Sequence, residues 1–209
     1  MPSEFHRPVR VPSAHFEFVQ GGEDPALLVR TAHETAQALV SRVRADPDPE
    51  VVERLVAFAE REGIDAVAEL WSRASALSLP GALWRLYLLR EMIRRDPQLT
   101  ALAFDRGVQR LRSIDPVVAG APTPAGPEEL LAVADEILRG VFEGDLTVAL
   151  DRAAAFCRVT AAGCTDLADD ADAASPDRAA TLTRRAARLA RLADELSSCA
   201  RLHSDGALD

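Results

Sequence analysis

The stretch that decides the fold is residues 176–203, PDRAATLTRRAARLARLADELSSCARLH. Alanine and leucine alternate along it in steps of three and four residues, which is the spacing of a heptad seam on one face of a helix. The seam consists of Ala179, Leu182, Ala186, Leu189, Ala193, Leu196 and Ala200. Small residues at every other seam position let two helix backbones approach closely. The stretch therefore predicts a long helix with a tightly packed antiparallel partner.

The preceding stretch, residues 145–163, is the simplest partner for this helix. Its apolar stripe repeats at the same spacing and consists of Leu146, Leu150, Ala153, Cys157, Thr160 and, just beyond the stretch, Cys164. We expect the two stretches to fold back on each other as a helical hairpin, with a matching helix of a second subunit as the alternative. In either arrangement Cys157 and Cys164 are small seam residues rather than reactive thiols.

Helix starts elsewhere are marked by a capping residue followed by proline, because proline suits the first helical turn. The pairs are Asp24-Pro25, Asp48-Pro49, Asp96-Pro97, Ser175-Pro176 and, more weakly, Gly126-Pro127. Gly63 and Gly144 are expected to end helices in the left-handed conformation. The resulting prediction is about eight helices, over residues 25–45, 49–62, 64–77, 80–95, 97–112, 127–142, 145–163 and 176–203.

These elements predict an all-α fold, an antiparallel helical bundle or a stacked array of helix hairpins. Residues 1–22 contain three prolines and are predicted to form an extended N-terminal arm, with a frayed terminus as the alternative. Residues 23–112 form a five-helix front half, residues 113–126 a linker rich in proline, alanine and glycine, and residues 127–209 a three-helix back half. At 209 residues, we expect the two halves to share one core.

The charge balance limits the function classes. The chain carries a net charge of −9, whereas domains that hold nucleic acid through phosphate contacts usually have a basic excess. The chain has 24 arginines and no lysine, so a single arginine is a weaker indicator of a phosphate site. The sequence shows no signal-peptide pattern and no apolar run long enough for a membrane span, and we expect a cytoplasmic protein without a cofactor.

Arg85 interrupts the apolar face predicted for the helix over residues 80–95. Leu89 and Met92 flank it, and a buried guanidinium must be paired or hydrogen-bonded because arginine keeps its proton in proteins. One interpretation is an internal carboxylate partner, for which Glu34 and Asp135 are candidates. The other is a pocket for an anionic small molecule, formed by Arg85 with Trp84 and Tyr87, and this interpretation requires an unpaired Arg85.

Two charged clusters in the back half also suggest ligands. Arg184, Arg188 and Arg191 lie one turn apart on the outer face of the last predicted helix, which indicates either an anionic partner or an ordinary solvated face. Four carboxylates crowd the stretch before it, at Asp166, Asp169, Asp170 and Asp172. Because the stretch lacks the glycine and terminal glutamate of an EF-hand, we predict a flexible acidic loop rather than a calcium site.

The sequence contains no phosphate-binding loop, dinucleotide fingerprint, nucleophile elbow or zinc-protease motif. We therefore expect a non-enzymatic interaction or scaffold protein, in particular a homodimer. Its interaction surface would be the seam residues Leu182, Leu189 and Leu196 with the arginines of the last helix, or alternatively the N-terminal arm. The alternative is a small-molecule-binding or catalytic helical domain centred on Arg85. Nucleic-acid binding through the last helix is a third hypothesis, which the acidic net charge disfavours.

Overall fold

The structure is a computed structural model that describes residues 25–41, 64–114, 125–139, 142 and 144–209. These residues are all-α, with seven helices and no strand among them. The helices are α1 (Pro25–Ser41), α2 (Ile64–Trp71), α3 (Leu79–Arg95), α4 (Pro97–Ile114), α5 (Pro127–Leu138), α6 (Leu146–Ala171) and α7 (Pro176–Ser204). None of the described helices is both long enough and apolar enough to cross a bilayer.

Four helices begin at the predicted prolines, although Ser175 makes no side-chain capping hydrogen bond at the start of α7. Pro25, Pro97, Pro127 and Pro176 each begin a helix, as predicted. Asp145 caps α6, since its carboxylate accepts a hydrogen bond from the Thr147 N–H at 2.8 Å. The predicted helix over residues 49–62, the N-terminal arm over residues 1–22 and the Asp48-Pro49 and Gly63 signals lie outside the described residues.

Three helix ends differ from the prediction. The helix predicted over residues 64–77 ends at Trp71, because residues 72–77 form turns that lead to Ser78, whose hydroxyl caps α3 through the Gly81 N–H. The helix predicted over residues 127–142 ends at Leu138, and Gly144 does not have a positive φ; among the described glycines only Gly206, just after α7, does. The helix predicted to end at residue 163 continues to Ala171.

The extension of α6 corrects the prediction of an acidic loop. Asp166, Asp169 and Asp170 lie on this helix and contact two arginines of α4. Arg106 pairs with Asp166 at 2.9 Å and with Asp170 at 3.0 Å, and Arg110 pairs with Asp166 and Asp169. Neutralisation by α4 explains why these carboxylates tolerate a helical arrangement. Asp172 follows directly as the C-cap of α6.

The predicted hairpin of α6 and α7 is confirmed, and it is intramolecular. Every residue of both predicted seams is buried, from Leu146 to Cys164 on α6 and from Ala179 to Ala200 on α7. On its other side, α6 packs closely on α4 at two glycines. A Cβ on Gly163 would stand 1.7 Å from the Ala103 carbonyl oxygen, and one on Gly107 would stand 1.9 Å from the Val159 carbonyl oxygen. Only glycine allows this approach.

The remaining helices pack around α3. Trp71 of α2 is fully buried, as expected for a core residue, and its indole N–H donates to the Thr35 hydroxyl of α1 at 3.1 Å. Buried side chains of α1 to α4 and of α5 to α7 belong to one hydrophobic cluster. Of the predicted linker, α4 includes residues 113 and 114, and residues 115–124 lie outside the described part of the chain.

Candidate binding groove

A groove of about 980 Å³ runs between α3 and α7, and we call it the α3–α7 groove. Two ion pairs fix the register of its walls. Arg85 contacts Glu195, and Asp96, eleven residues later in the chain, contacts Arg185, which precedes Glu195. The two helices therefore run antiparallel. The lining residues are Trp84, Arg85, Tyr87, Leu88, Leu89, Glu91, Met92, Arg95 and Asp96 on one side and Thr181, Arg185, Arg188, Leu189, Arg191, Leu192 and Glu195 on the other.

Arg85 is internally paired, but not with either predicted partner. Its Nε donates to Glu195 Oε2 at 2.6 Å, and its Nη1 donates to the Gly81 carbonyl at 2.8 Å. Glu34 instead pairs with Arg30 within α1, and Asp135 pairs with Arg90 of α3 and with Arg139, which follows α5. Glu195 reaches Arg85 because α7 packs beside α3, an arrangement that no periodicity within either helix specifies.

The other two carboxylates of the groove are also paired. Glu91 accepts from Arg90 at 2.8 Å. Asp96 lies 3.6 Å from Arg185, whose second terminal nitrogen donates to the Thr100 hydroxyl at 2.8 Å. The Nε of Arg185 is buried and has no hydrogen-bond partner among the described residues. Every carboxylate lining the α3–α7 groove is therefore already bound to an arginine.

Three further arginines line the groove without a carboxylate partner. Arg95, Arg188 and Arg191 are exposed, and no ion pair joins any of them to a described residue. Arg188 uses its Nε to donate to the Arg184 carbonyl one turn earlier, which leaves its terminal nitrogens available. The groove is thus locally cationic in a chain whose net charge is −9. This surplus charge can bind an anion without breaking an existing pair.

Aromatic and aliphatic side chains make up the rest of the lining. Trp84 and Tyr87 stack with their ring centroids 5.4 Å apart and an angle of 17° between the ring planes. The Tyr87 hydroxyl donates to Asp65 of α2 at 2.8 Å. Burial and this hydrogen bond raise the pKa of Tyr87 to about 12, so the phenol stays neutral at physiological pH. The two rings form a fixed apolar surface at one end of the groove.

The three cysteine thiols are not part of the groove lining. Cys157, Cys164 and Cys199 are all buried, and desolvation raises the pKa of each thiol, to about 12 for Cys157. Thiols in this environment are protonated and inert. No cluster of three or more metal-binding side chains occurs among the described residues. His203 contacts the Thr147 hydroxyl at 2.8 Å, outside the groove.

The structure brings together residues that the sequence had assigned to two separate hypotheses. Trp84, Arg85 and Tyr87 of the predicted pocket line the same groove as Arg188 and Arg191 of the predicted interaction surface. Arg184 is not part of the lining and donates to the Thr181 hydroxyl.

The three leucines predicted for the interaction surface are buried. Leu182 and Leu196 pack into the core, and Leu189 is buried where α7 borders the groove. Their seam is filled by α6 of the same chain, so these side chains are not exposed to a second subunit.

Arg95, Leu88 and Leu192 also line the groove, but they were not identified as candidate binding residues from the sequence. Trp84, Leu88, Met92 and Arg95 recur every three or four residues along the outer face of α3. This spacing indicates one continuous face of α3, but a groove forms only because α7 lies beside that face.

No protein-family model, curated protein or solved structure matches this chain.

Proposed function

We propose that this protein is a non-enzymatic interaction module that binds an anionic partner in the α3–α7 groove. The observation that supports this function is the surplus of Arg95, Arg188 and Arg191 in a groove whose carboxylates are all paired. Arginines beside an apolar lining are common on recognition surfaces. Because the chain as a whole is negatively charged, an anionic partner is attracted to this local cationic site and not to the protein surface in general.

The pairing of Arg85 argues against a pocket built on that residue. A small anion at Arg85 would have to displace Glu195, and the displaced carboxylate would then be left half-buried. The arginines without carboxylate partners lie on the α7 wall and at the end of α3, so an anionic partner can contact them without displacing Glu195.

Polyglutamate is a suitable probe because it is an anionic polypeptide without apolar side chains. Binding can be followed by fluorescence, since Trp84 lines the groove while Trp71 is fully buried, and a Trp84→Phe variant confirms the source of the signal. We expect saturable binding that weakens between low and physiological ionic strength. The Arg188→Gln/Arg191→Gln variant should bind about 5- to 30-fold more weakly, from about 0.5–1 kcal/mol per exposed ion pair.

The matched control is Arg152→Gln/Arg178→Gln, which removes the same charge from exposed positions outside the groove lining. This variant should keep the affinity of the unmodified protein within about twofold, which corresponds to less than about 0.5 kcal/mol. Equal weakening by both double variants would mean that polyglutamate responds to total charge, and the groove would then have no special role.

A further inference from the structure

We propose that the anionic partner is an acidic amphipathic helix of another protein, which lies lengthwise in the α3–α7 groove. This inference rests on the proposed function and specifies the kind of partner. It follows from the apolar row along the groove, from the position of the arginines relative to that row and from the length of both.

The apolar row is formed mainly by α3. Trp84, Leu88 and Met92 succeed one another at intervals of one helical turn, and Leu192 of α7 faces them across the groove. Leu88 is 42% exposed, although the other four leucines of α3 are all buried. An apolar row bordered by charged residues is typical of a protein-binding surface.

The arginines border this row from Leu88 to the end of α3. Because Arg85 pairs with Glu195 and Asp96 with Arg185, the antiparallel register places Arg191 beside Leu88 and Arg188 beside Met92. Arg95 stands at the end of the row on α3 itself. A partner that covers the row must therefore present apolar side chains on one face and carboxylates next to them. Charge complementarity selects an acidic partner over a neutral or basic one.

The dimensions favour a helix. From Trp84 to Arg95 the groove wall extends eleven residues, or about 16 Å at a helical rise of about 1.5 Å per residue. This is about three turns, enough for anchors at positions i, i+3 or i+4, and i+7 of a bound helix. Two antiparallel helices leave a lengthwise groove into which a third helix packs with the same ridges and spacing.

The test compares two synthetic peptides of about 15 residues, or about four helical turns, with identical composition. One places leucines on one helical face with glutamates beside them, and the other has the same residues in scrambled order. We expect the amphipathic peptide to bind at least tenfold more tightly, as measured by Trp84 fluorescence, and to gain helical circular dichroism on binding. Leu88→Ser should weaken its binding about five- to tenfold, because the exposed leucine loses its apolar contact.

Leu102→Ser is the matched control, since Leu102 is 43% exposed on α4 and does not line the groove. It should leave the affinity for the amphipathic peptide unchanged. If polyglutamate binds at the arginines but the two peptides bind equally well, the groove recognises charge alone, and the helical partner is refuted while the proposed function stands. If neither the peptides nor polyglutamate bind, both proposals fail.

Two other occupants are outcomes of the same experiment. A second copy of this chain is the occupant if sedimentation shows self-association that Leu88→Ser removes. A nucleic acid is the occupant if duplex DNA displaces the amphipathic peptide and itself binds more tightly. Either result would overturn the helical partner.

Discussion

Asp135 shows how single residues join helices of this fold. It lies on α5, accepts hydrogen bonds from Arg90 and Arg94 of α3, and is within 3.8 Å of Arg139. Burial alone would raise the pKa of Asp135, but the hydrogen bond from Arg90 and the charges of the three arginines outweigh this effect, and the pKa lies below its usual value. The ionised carboxylate therefore stabilises the folded state.

The sign of this effect gives a pH-dependent prediction. Because the pKa is lowered in the folded protein, the stabilisation is fully present above the unfolded value of about 3.9 and is lost as the pH falls through the folded value. Asp135→Asn should lower the free energy of unfolding in urea by about 1–3 kcal/mol at neutral pH and by less at about pH 3. The exposed Asp151→Asn should change it by less than about 0.5 kcal/mol. A pH-independent loss at position 135 would contradict this account.

At the scale of elements, the contact of α4 with α6 depends on two glycines. Ala103 and Val159 direct carbonyl oxygens at the positions where Gly163 and Gly107 lack a side chain. Glycine within a helix ordinarily costs about 1 kcal/mol relative to alanine, so its presence here indicates that close packing outweighs that cost. The acidic end of α6 and the arginines of α4 then hold the same pair of helices together.

Substitution of Gly163 by alanine distinguishes the effect of helix propensity from the effect of close packing. Helix propensity alone would make Gly163→Ala stabilising by about 1 kcal/mol. The clash with the Ala103 carbonyl should instead make it destabilising by about 1–3 kcal/mol, since the backbones must move apart. Chemical denaturation measures the difference. An added Cβ at Gly126 meets nothing within 4 Å. Gly126→Ala should therefore lower the free energy of unfolding by under about 1 kcal/mol, because alanine is a poorer N-cap residue than glycine. Increased stability of Gly163→Ala would disprove the close contact.

At the scale of the whole molecule, the features that could be predicted from the sequence are those that depend on periodicity and capping within one helix. They include the all-α class, the helix starts at Pro97 and Pro176 and the burial of both seams. The pairing of Arg85 with Glu195 joins residues 110 positions apart and depends on how α3 and α7 pack together. The groove also depends on the packing of α3 against α7, because each of its two walls, taken alone, has the residue pattern of a solvent-exposed helix face.

The central claim, that Arg95, Arg188 and Arg191 bind an anionic partner, is tested most directly by nuclear magnetic resonance of the arginine guanidinium N–H groups. The signals would be assigned with single Arg→Gln variants and followed while the acidic amphipathic peptide is added. We predict that the largest saturable shifts occur at these three arginines, with little change at the exposed Arg152 and Arg178 outside the groove. Equal shifts at all exposed arginines, or none that saturate, would contradict the claim.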